Sequence, residues 1–308
     1  MQFIKKFKEI SKEDVAIAGG KGASLGEMTQ TGIPVPEGFV ILSDAFEYFI
    51  KETDLNVEID VALDEVDVEE VHTVDEASDK IKAMIITQDI PKDIKKQINE
   101  EFKRLDSRFV AVRSSATSED SASASWAGQL ETYLNTTKKN LLENVKKCWA
   151  SLFTPRAIFY RFEQKLDKKK ISVAVVVQKM IESEESGIAF SVHPVTQDRN
   201  QLIIEAGYGL GEAIVSGQIT PDSYVVDKRD WNIIDINVNE QEKGLYRKTS
   251  GGNEWKDLGE KGKEQVLIKN EIIELAKLIA KIEKHYSFPV DVEWAKVCGK
   301  FFITQSRP

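Results

Sequence analysis

The sequence predicts an α+β protein built from two parts, one rich in helices and one rich in strands. Across roughly the first 160 residues, apolar positions recur mainly at helical spacing, whereas much of the rest consists of short β-branched runs between Gly, Pro and Asn turns. A β-branched run at 171–177 predicts a buried strand near the junction. We therefore expect a helix-rich lobe over residues 1–185 and a sheet-rich lobe over residues 186–308.

The composition is that of a globular protein with a surplus of acidic residues. Of the 308 residues, 41% are hydrophobic and 30% are charged, with 42 Lys and Arg against 51 Asp and Glu, for a net charge of -9. Such a surface repels nucleic acid and anionic membranes, so any site for a polyanion must be local.

The cysteines and the apolar runs bear on the cellular compartment of the protein. Cys148 and Cys298 lie far apart and form no CxxC or Cys/His cluster, which favours neither disulfides nor zinc. The first ten residues lack the apolar core of a signal peptide, and no apolar run approaches the ~20 residues that cross a bilayer. We expect a cytoplasmic protein without nucleic-acid or membrane partners.

The first half of the chain is predicted to be mainly helical. A glycine-bearing loop at 19–22 opens a helix, an extended segment follows at 35–42, and the side chain of Ser43 is expected to cap the next helix. The acidic stretch 54–72 is only weakly periodic and predicts a mobile surface segment with helical turns. Further helices are predicted at 75–86, 91–104, 138–150 and 154–163, with a strand at 109–112.

The second half is predicted to be mainly strands around one long helix. Periodicity and turn residues predict strands at 187–192, 201–206, 223–227 and 231–238. An amphipathic helix is predicted at about 263–285, before a hairpin of strands 290–294 and 300–304.

The terminal hairpin carries the strongest chemical signal. Side chains alternate along a strand, so Asp291 and Glu293 share one face, and Gln305 and Arg307 share a face of the partner strand. Carboxylate and amide oxygens suit Mg²⁺, and a neighbouring guanidinium can pair with phosphate oxygens. The alternative is an ordinary half-exposed hairpin with a polar face.

Two further stretches have the chemistry of anion sites. Lys21 stands between glycines at a helix start, where backbone N–H groups and a positive charge can cradle a polyphosphate, although neither Walker A nor GxGxxG spacing is present. Arg113 follows a strand and is joined by hydroxyl-bearing side chains at Ser114, Ser115, Thr117 and Ser118. The alternatives are a solvated lysine at a glycine-punctuated helix entry and a simple capped turn.

Other motifs give weaker signals. The glycines of the stretch 207–212 could close the main chain over a ligand, although such glycines are more often turns. His72, His193 and His285 have no Ser or Cys partner at a diagnostic spacing, so we interpret them as surface or core histidines and not as catalytic ones.

Several ordered motifs together resemble the N-terminal nucleotide-binding domain of the phosphoenolpyruvate synthase and pyruvate phosphate dikinase family, which is related to rifampicin phosphotransferase. The resemblance covers essentially the whole chain. The motifs are GGKGASLGEM at 19–28, VPEGF at 35–39, AVRSSA at 111–116, AGQLET at 127–132, GYGLGE at 207–212, DVEWA at 291–295 and TQSRP at 304–308.

The resemblance implies an ATP-grasp fold with ATP held in a cleft between two lobes. It implies that Lys21 and Arg113 bind phosphates, and that Arg307 contacts the phosphates in transfer. It also implies that Gly128 and Thr132 line the triphosphate or ribose side of the ATP site and that Gln178 faces adenine. Finally, it implies that Glu293 and Gln305 hold Mg²⁺ and that Asp291 supports this metal site.

The same resemblance implies a partner. Relatives continue into a swivelling phosphohistidine domain and an acceptor-binding domain, and no TSHAA-like segment occurs here. We therefore expect the chain to carry out only the ATP half-reaction, with the histidine supplied in cis or in trans. A rifampicin phosphotransferase-like antibiotic kinase and a non-catalytic nucleotide-binding module are the alternatives.

Overall fold

The computed structural model describes residues 1–117, 131–164, 172–249 and 251–307, and it confirms a mixed α+β architecture. The chain divides into two compact units. The first unit comprises Met1–Glu27 and Glu37–Met180, and the second comprises Met28–Pro36 and Ile181–Pro308.

The first unit contains a five-stranded antiparallel sheet. Its order is β1-β2-β5-β3-β4, so that β5 and β3 are flanked on both sides. The strands are β1 (Ile4–Lys6), β2 (Gly38–Ile41), β3 (Val110–Ala116), β4 (Thr132–Thr136) and β5 (Val173–Lys179).

One face of this sheet is buried under helices. Alternate residues of the strands, such as Val112, Val175 and Val177, join a cluster that includes Trp149, whose ring stacks on Phe49 with centroids 4.9 Å apart. The helices of the unit are α1 (Val15–Gln30), α2 (Ser43–Glu52), α3 (Leu55–Asp64), α4 (Val71–Thr87), α5 (Lys92–Leu105), α6 (Leu141–Ala150) and α7 (Pro155–Glu163). Because strand side chains alternate, the residues between these core positions face the other way, toward the candidate site.

The second unit contains a six-stranded antiparallel sheet of order β13-β12-β6-β7-β8-β9 and a separate hairpin of β10 and β11. Helix α9 packs on β7 and β8 through an apolar stripe that includes Leu275 and Ile279. The elements are β6 (Glu185–Phe190), β7 (Gln201–Tyr208), α8 (Glu212–Val215), β8 (Asp222–Asp227), β9 (Ile233–Asn237), β10 (Lys243–Arg247), β11 (Asn253–Asp257), α9 (Lys269–Tyr286), β12 (Asp291–Val297) and β13 (Lys300–Arg307).

The outer edge of β13 is covered by the segment Met28–Pro36. The backbone N–H of Ile303 donates a hydrogen bond of 2.8 Å to the carbonyl oxygen of Pro34. This contact explains why a stretch that precedes β2 in the chain belongs to the second unit.

Two local predictions were wrong, and one hairpin was not predicted. Ser43 is the first residue of α2 rather than its cap, and its hydroxyl donates to the carbonyl of Ala16 at 3.3 Å. The acidic stretch 54–72 contains the regular helix α3, which buries Leu55 and Ile59 against the core. The β10–β11 hairpin was missed because its residues are largely polar.

Among the described residues, no helix is both long and apolar enough to cross a membrane.

Candidate functional site

The first unit positions Lys21 through a close contact between Gly19 and β3. Gly19 has φ 68° and ψ 170° and interrupts the helical backbone of α1. A Cβ atom at this position would lie 2.2 Å from Oγ and 2.4 Å from the backbone oxygen of Ser115. Only glycine satisfies both the left-handed φ and the close approach.

The hydroxyl of Ser115 fastens both sides of this turn. It donates to the carbonyl of Ala18 at 3.0 Å and accepts from the backbone N–H of Gly22 at 3.2 Å. Lys21, which lies between these two anchor points, is 8% exposed. The glycine-bearing motif therefore holds a nearly buried ammonium-bearing residue beside β3.

Arg113, Thr132 and Gln178 share the sheet face opposite the helical core. Arg113 lies opposite Thr132 of β4 and Val176 of β5, and Gln178 lies opposite Ala111. Residues opposite each other in antiparallel strands point to the same side, and so do residues two apart. This face also presents Ser115, so the structure brings Lys21, Arg113, Thr132 and Gln178 onto one side of one sheet.

Gln178 has the environment of a ligand-binding amide. It is 3% exposed, and its Nε2 has no hydrogen-bond partner within the described parts of the chain. A buried amide without a partner costs about 1–3 kcal/mol. A bound ligand with an acceptor atom would remove this cost.

Two of the hydroxyl groups near Arg113 have backbone partners, as the capped-turn alternative for this stretch requires. Ser114 exchanges hydrogen bonds with the backbone of Glu131, and Thr117 Oγ1 donates to the carbonyl of Ser172 at 3.1 Å. These hydrogen bonds attach β3 to Glu131 and to Ser172 on either side of Arg113. Ser118 and Gly128 lie outside the described residues.

The second unit brings the four polar residues of the terminal hairpin onto one face. In the register of β12 and β13, Asp291 lies opposite Arg307, and Glu293 lies opposite Gln305. A register shift follows Glu293, and the next residue, Trp294, is 1% exposed on the opposite, apolar side. The alternation therefore separates a polar face from the core.

This donor set fits Mg²⁺. Asp291 and Glu293 provide carboxylate oxygens and Gln305 provides an amide oxygen, all hard ligands, while Mg²⁺ commonly keeps waters and binds one or two carboxylates plus phosphate oxygens. In the described part of the chain, no three His, Cys, Asp or Glu side chains form a complete metal-binding group.

A buried ion triad fixes the strand that carries Glu293. Lys296 is 7% exposed, and its Nζ lies 2.6 Å from Oε1 of Glu271 and 3.2 Å from Oε2 of Glu185. Burial lowers the pKa of Lys296, but the hydrogen bond to Glu271 and the charge of Glu185 outweigh it and raise that pKa overall. The triad links β12 to β6 and α9, so the hairpin is held from two directions.

Glu205 is a candidate site residue that sequence reasoning missed. It lies opposite Ile188, which in turn lies opposite Glu293, so Glu205 belongs to the same cross-strand row as Glu293 and Gln305. Burial raises the pKa of this carboxyl, and no described residue forms an ion pair or hydrogen bond with it. Only the strand register reveals this row, because Glu205 is 88 positions away from Glu293 in the chain.

The glycine stretch at 207–212 has a structural role. Gly209 has φ 86°, and a Cβ atom there would lie 2.3 Å from the backbone oxygen of Leu245. Its carbonyl accepts hydrogen bonds from the hydroxyls of Ser183 and Ser186 at 2.8 and 2.6 Å. The end of β7 thus lies close to β10 and is hydrogen-bonded to Ser186 of β6 and to Ser183 just before it.

Comparison with known proteins identifies a family whose model matches most of the chain. The family model described as "Pyruvate phosphate dikinase, AMP/ATP-binding domain" matches residues 15–308. The chain therefore belongs to this family of AMP/ATP-binding domains.

Individual relatives carry two kinds of name. The chain is 45% identical over 316 residues to a probable phosphoenolpyruvate synthase of Methanocaldococcus jannaschii, covering 100% of this chain and 27% of that protein. It is 40% identical over 362 residues to the phosphoenolpyruvate synthase of Pyrococcus furiosus, covering 100% and 44%. It is 38% identical over 310 residues to the rifampicin phosphotransferase of Bacillus cereus, covering 99% and 36%. This chain spans less than half the length of each of these relatives.

Proposed function

We propose that this chain is the ATP-binding part of a phosphoenolpyruvate synthase-type dikinase. In this proposal its two units are the lobes of an ATP-grasp fold, with the boundary near residue 185. Together with a swivelling histidine domain, in cis or in trans, it would convert pyruvate, ATP and water to phosphoenolpyruvate, AMP and phosphate. The observation that carries the proposal is the hairpin register that unites Asp291, Glu293, Gln305 and Arg307 on one face.

Each residue set has a separate task in this proposal. Lys21 and Arg113 neutralise phosphate charge from the first unit, and Arg307 does so from the second, with a planar fork suited to two phosphate oxygens. Thr132 and Gly128 line the triphosphate or ribose side, and the buried amide of Gln178 donates to the base.

Glu293 and Gln305 hold Mg²⁺, and Asp291 supports them. When bound, the metal supplies charge neutralisation on the phosphate oxygens. Phosphoryl transfer depends mainly on positioning and on this neutralisation, so the chain needs no nucleophile of its own for the ATP half-reaction.

Calorimetric titration with ATP tests the proposal. We expect tight binding with Mg²⁺ and weak binding in EDTA, because the carboxylates of Asp291 and Glu293 repel phosphate unless a cation lies between them. Glu293→Gln should reduce the difference between the two conditions, whereas Glu274→Gln, at an exposed position of α9, should leave it unchanged. Equal affinity with and without metal in the parent would refute the metal assignment.

A second candidate is an antibiotic kinase. The 38% identity to a rifampicin phosphotransferase supports it. Both candidates share the ATP chemistry and differ in the final acceptor. Phosphorylation assays with pyruvate and with rifampicin, using the complete set of domains, distinguish them.

A further inference from the structure

The two halves of the terminal hairpin follow different registers. From the tight turn that joins them, β12 and β13 pair regularly up to Trp294 opposite Ile303. The next pair is Glu293 with Gln305, so the pairing passes over Thr304. Strand β13 therefore has one residue more than β12 between these two pairs, which is the arrangement of a β-bulge.

The bulge belongs to β13 alone. On its other side β12 pairs with β6 without any shift over residues 291–296. Strand β13 is the outer strand of the sheet, where bulges are common. The backbone N–H of Ile303, directly before the bulge, donates to the carbonyl of Pro34 on the outer side. The extra residue thus changes the course of β13 beyond Ile303 and leaves β12 straight.

The bulge decides which side chains of β13 join the carboxylate of Glu293. Opposite residues of antiparallel strands share a face, and a shift of one residue turns every following side chain to the other face. Without the bulge, the register of the turn-side half would continue with Glu293 opposite Thr304. Gln305 would then lie opposite Val292, which is 0% exposed. The amide of Gln305, and the guanidinium of Arg307 with it, would face the apolar side of the sheet.

Apolar packing holds the bulge at this position. Trp294 and Ile303 are 1% and 0% exposed, and the ring of Trp294 meets that of Phe301 edge to face with centroids 5.6 Å apart. A bulge closer to the turn would move Ile303 to the polar face. A sheet with one buried face resists such a change. The extra residue is therefore confined to the segment that follows Ile303.

We propose that Thr304 is a positioning residue, which places the Gln305 amide and the Arg307 guanidinium on the face of Glu293 by adding one residue to β13. This role rests on the function proposed above, in which Gln305 holds Mg²⁺ and Arg307 contacts phosphate. The backbone of Thr304 is responsible and not its side chain, because any residue at this place shifts the register equally. Thr304 thus acts through its two neighbours on the polar face.

Deletion of Thr304 tests the proposal. The shortened chain should form a regular hairpin in which Gln305 still lies opposite Glu293. Its ATP affinity in Mg²⁺, and the ratio of its affinities in Mg²⁺ and in EDTA, should stay within about tenfold of the parent values. Thr304→Ala, which keeps the bulge, should behave in the same way.

Insertion of an alanine directly after Thr304 is the opposite change. It should turn Gln305 and Arg307 away from Glu293 and reduce the Mg²⁺-dependent affinity by about 30-fold or more. Circular dichroism and chemical denaturation show whether each variant is folded. A folded deletion variant that loses the Mg²⁺-dependent affinity, or a folded insertion variant that keeps it, would overturn the proposal.

Disulfide formation within the hairpin tests the register without ATP or metal. In a Cys298→Ser background, which removes an exposed thiol, Asp291→Cys with Arg307→Cys should form an intrachain disulfide, because these residues lie opposite each other. Asp291→Cys with Ser306→Cys should not, because their side chains lie on opposite faces. The reverse result would also overturn the proposal. A parent chain with equal ATP affinity with and without metal would instead refute the proposed function, and the disulfide result would still report the register.

Discussion

Gly19 and Ser115 approach so closely that a Cβ atom on Gly19 would lie 2.2 Å from the serine hydroxyl oxygen. Their contact joins the turn that carries Lys21 to the strand that carries Arg113. The placement of both cations thus depends on one residue having no side chain.

Gly19→Ala is therefore expected to displace the Lys21 turn. The variant incurs both the left-handed backbone cost and the clash with β3, together about 2–5 kcal/mol of unfolding free energy. Gly32→Ala is the matched control, because Gly32 has φ 72° but no atom within 4 Å of the position that a Cβ would take, and it should cost only about 1–2 kcal/mol. Chemical denaturation and ATP titration measure both; equal losses of stability and affinity in the two variants would contradict this role of the contact.

Arg113→Ala and Arg307→Ala should each weaken ATP binding or transfer by about 2–5 kcal/mol, because each leaves a phosphate charge without its partner. Lysine at either position should rescue only part of the loss, since a point charge lacks the planar fork. Arg104→Ala, at an exposed position of α5, serves as the control. Parent-like binding and turnover by both alanine variants would exclude the proposed phosphate site.

Glu205→Gln should raise the melting temperature of the ligand-free chain at pH 7. Burial raises the pKa of Glu205 above 4.5, so the folded state disfavours the ionised carboxyl, and stability falls as pH rises from the ordinary pKa through the folded value. Glutamine at position 205 removes that penalty because it carries no charge. The rise in melting temperature should vanish below pH 4.5, where the Glu205 carboxyl of the parent is protonated.

The control for Glu205→Gln is Glu274→Gln, at an exposed position of α9. Its melting temperature should equal that of the parent both at pH 7 and below pH 4.5. A stabilised Glu205→Gln variant with weakened Mg·ATP binding would assign the carboxylate to ligand binding. A variant no more stable than the parent at pH 7 would show that the carboxylate is already well accommodated.

The chain alone should not complete a dikinase cycle, because none of its three histidines lies in a phosphohistidine-like motif. Adding a separately made swivelling domain of a synthase should accelerate AMP formation and label that domain's histidine, since docking supplies a nucleophile at high effective concentration. The assay uses ATP labelled at the β-phosphate, followed by acid and alkali treatment, because phosphohistidine is acid-labile and survives alkali. Rapid AMP formation by the chain alone, or acid-stable label on the chain, would contradict the prediction.

Periodicity was sufficient to predict the elements with strong apolar patterns. In the terminal hairpin, Asp291 and Glu293 alternate with the apolar residues Val292 and Trp294, and this pattern predicted the first strand. The long helix α9 was predicted from its apolar stripe, although it begins at Lys269 rather than near 263. Helix α3 was predicted only as turns, because its acidic residues obscure the buried positions Leu55 and Ile59.

The pairing of strands that are distant in the chain could not be predicted from the sequence. The neighbours β5 and β3 are separated by α6, α7 and β4 in the chain, so no local pattern shows that Gln178 and Arg113 share a face. The same holds for Glu205, whose row with Glu293 exists only through the intervening strand β6. The hydrogen-bond partners of the Ser114 and Thr117 hydroxyls could not be predicted from the sequence either, so these residues suggested anion donors.

The hydrogen bond from Ile303 to Pro34 bears on how this protein can be divided. A gene fragment starting at residue 181 omits Met28–Pro36, and its product would expose the β13 edge next to the strand that carries Glu293. Such a fragment is expected to aggregate through that edge, whereas a permuted gene that fuses 28–36 to the second unit through a short linker would encode a self-contained unit. Modular reuse of the β12–β13 hairpin therefore requires two separate pieces of the polypeptide.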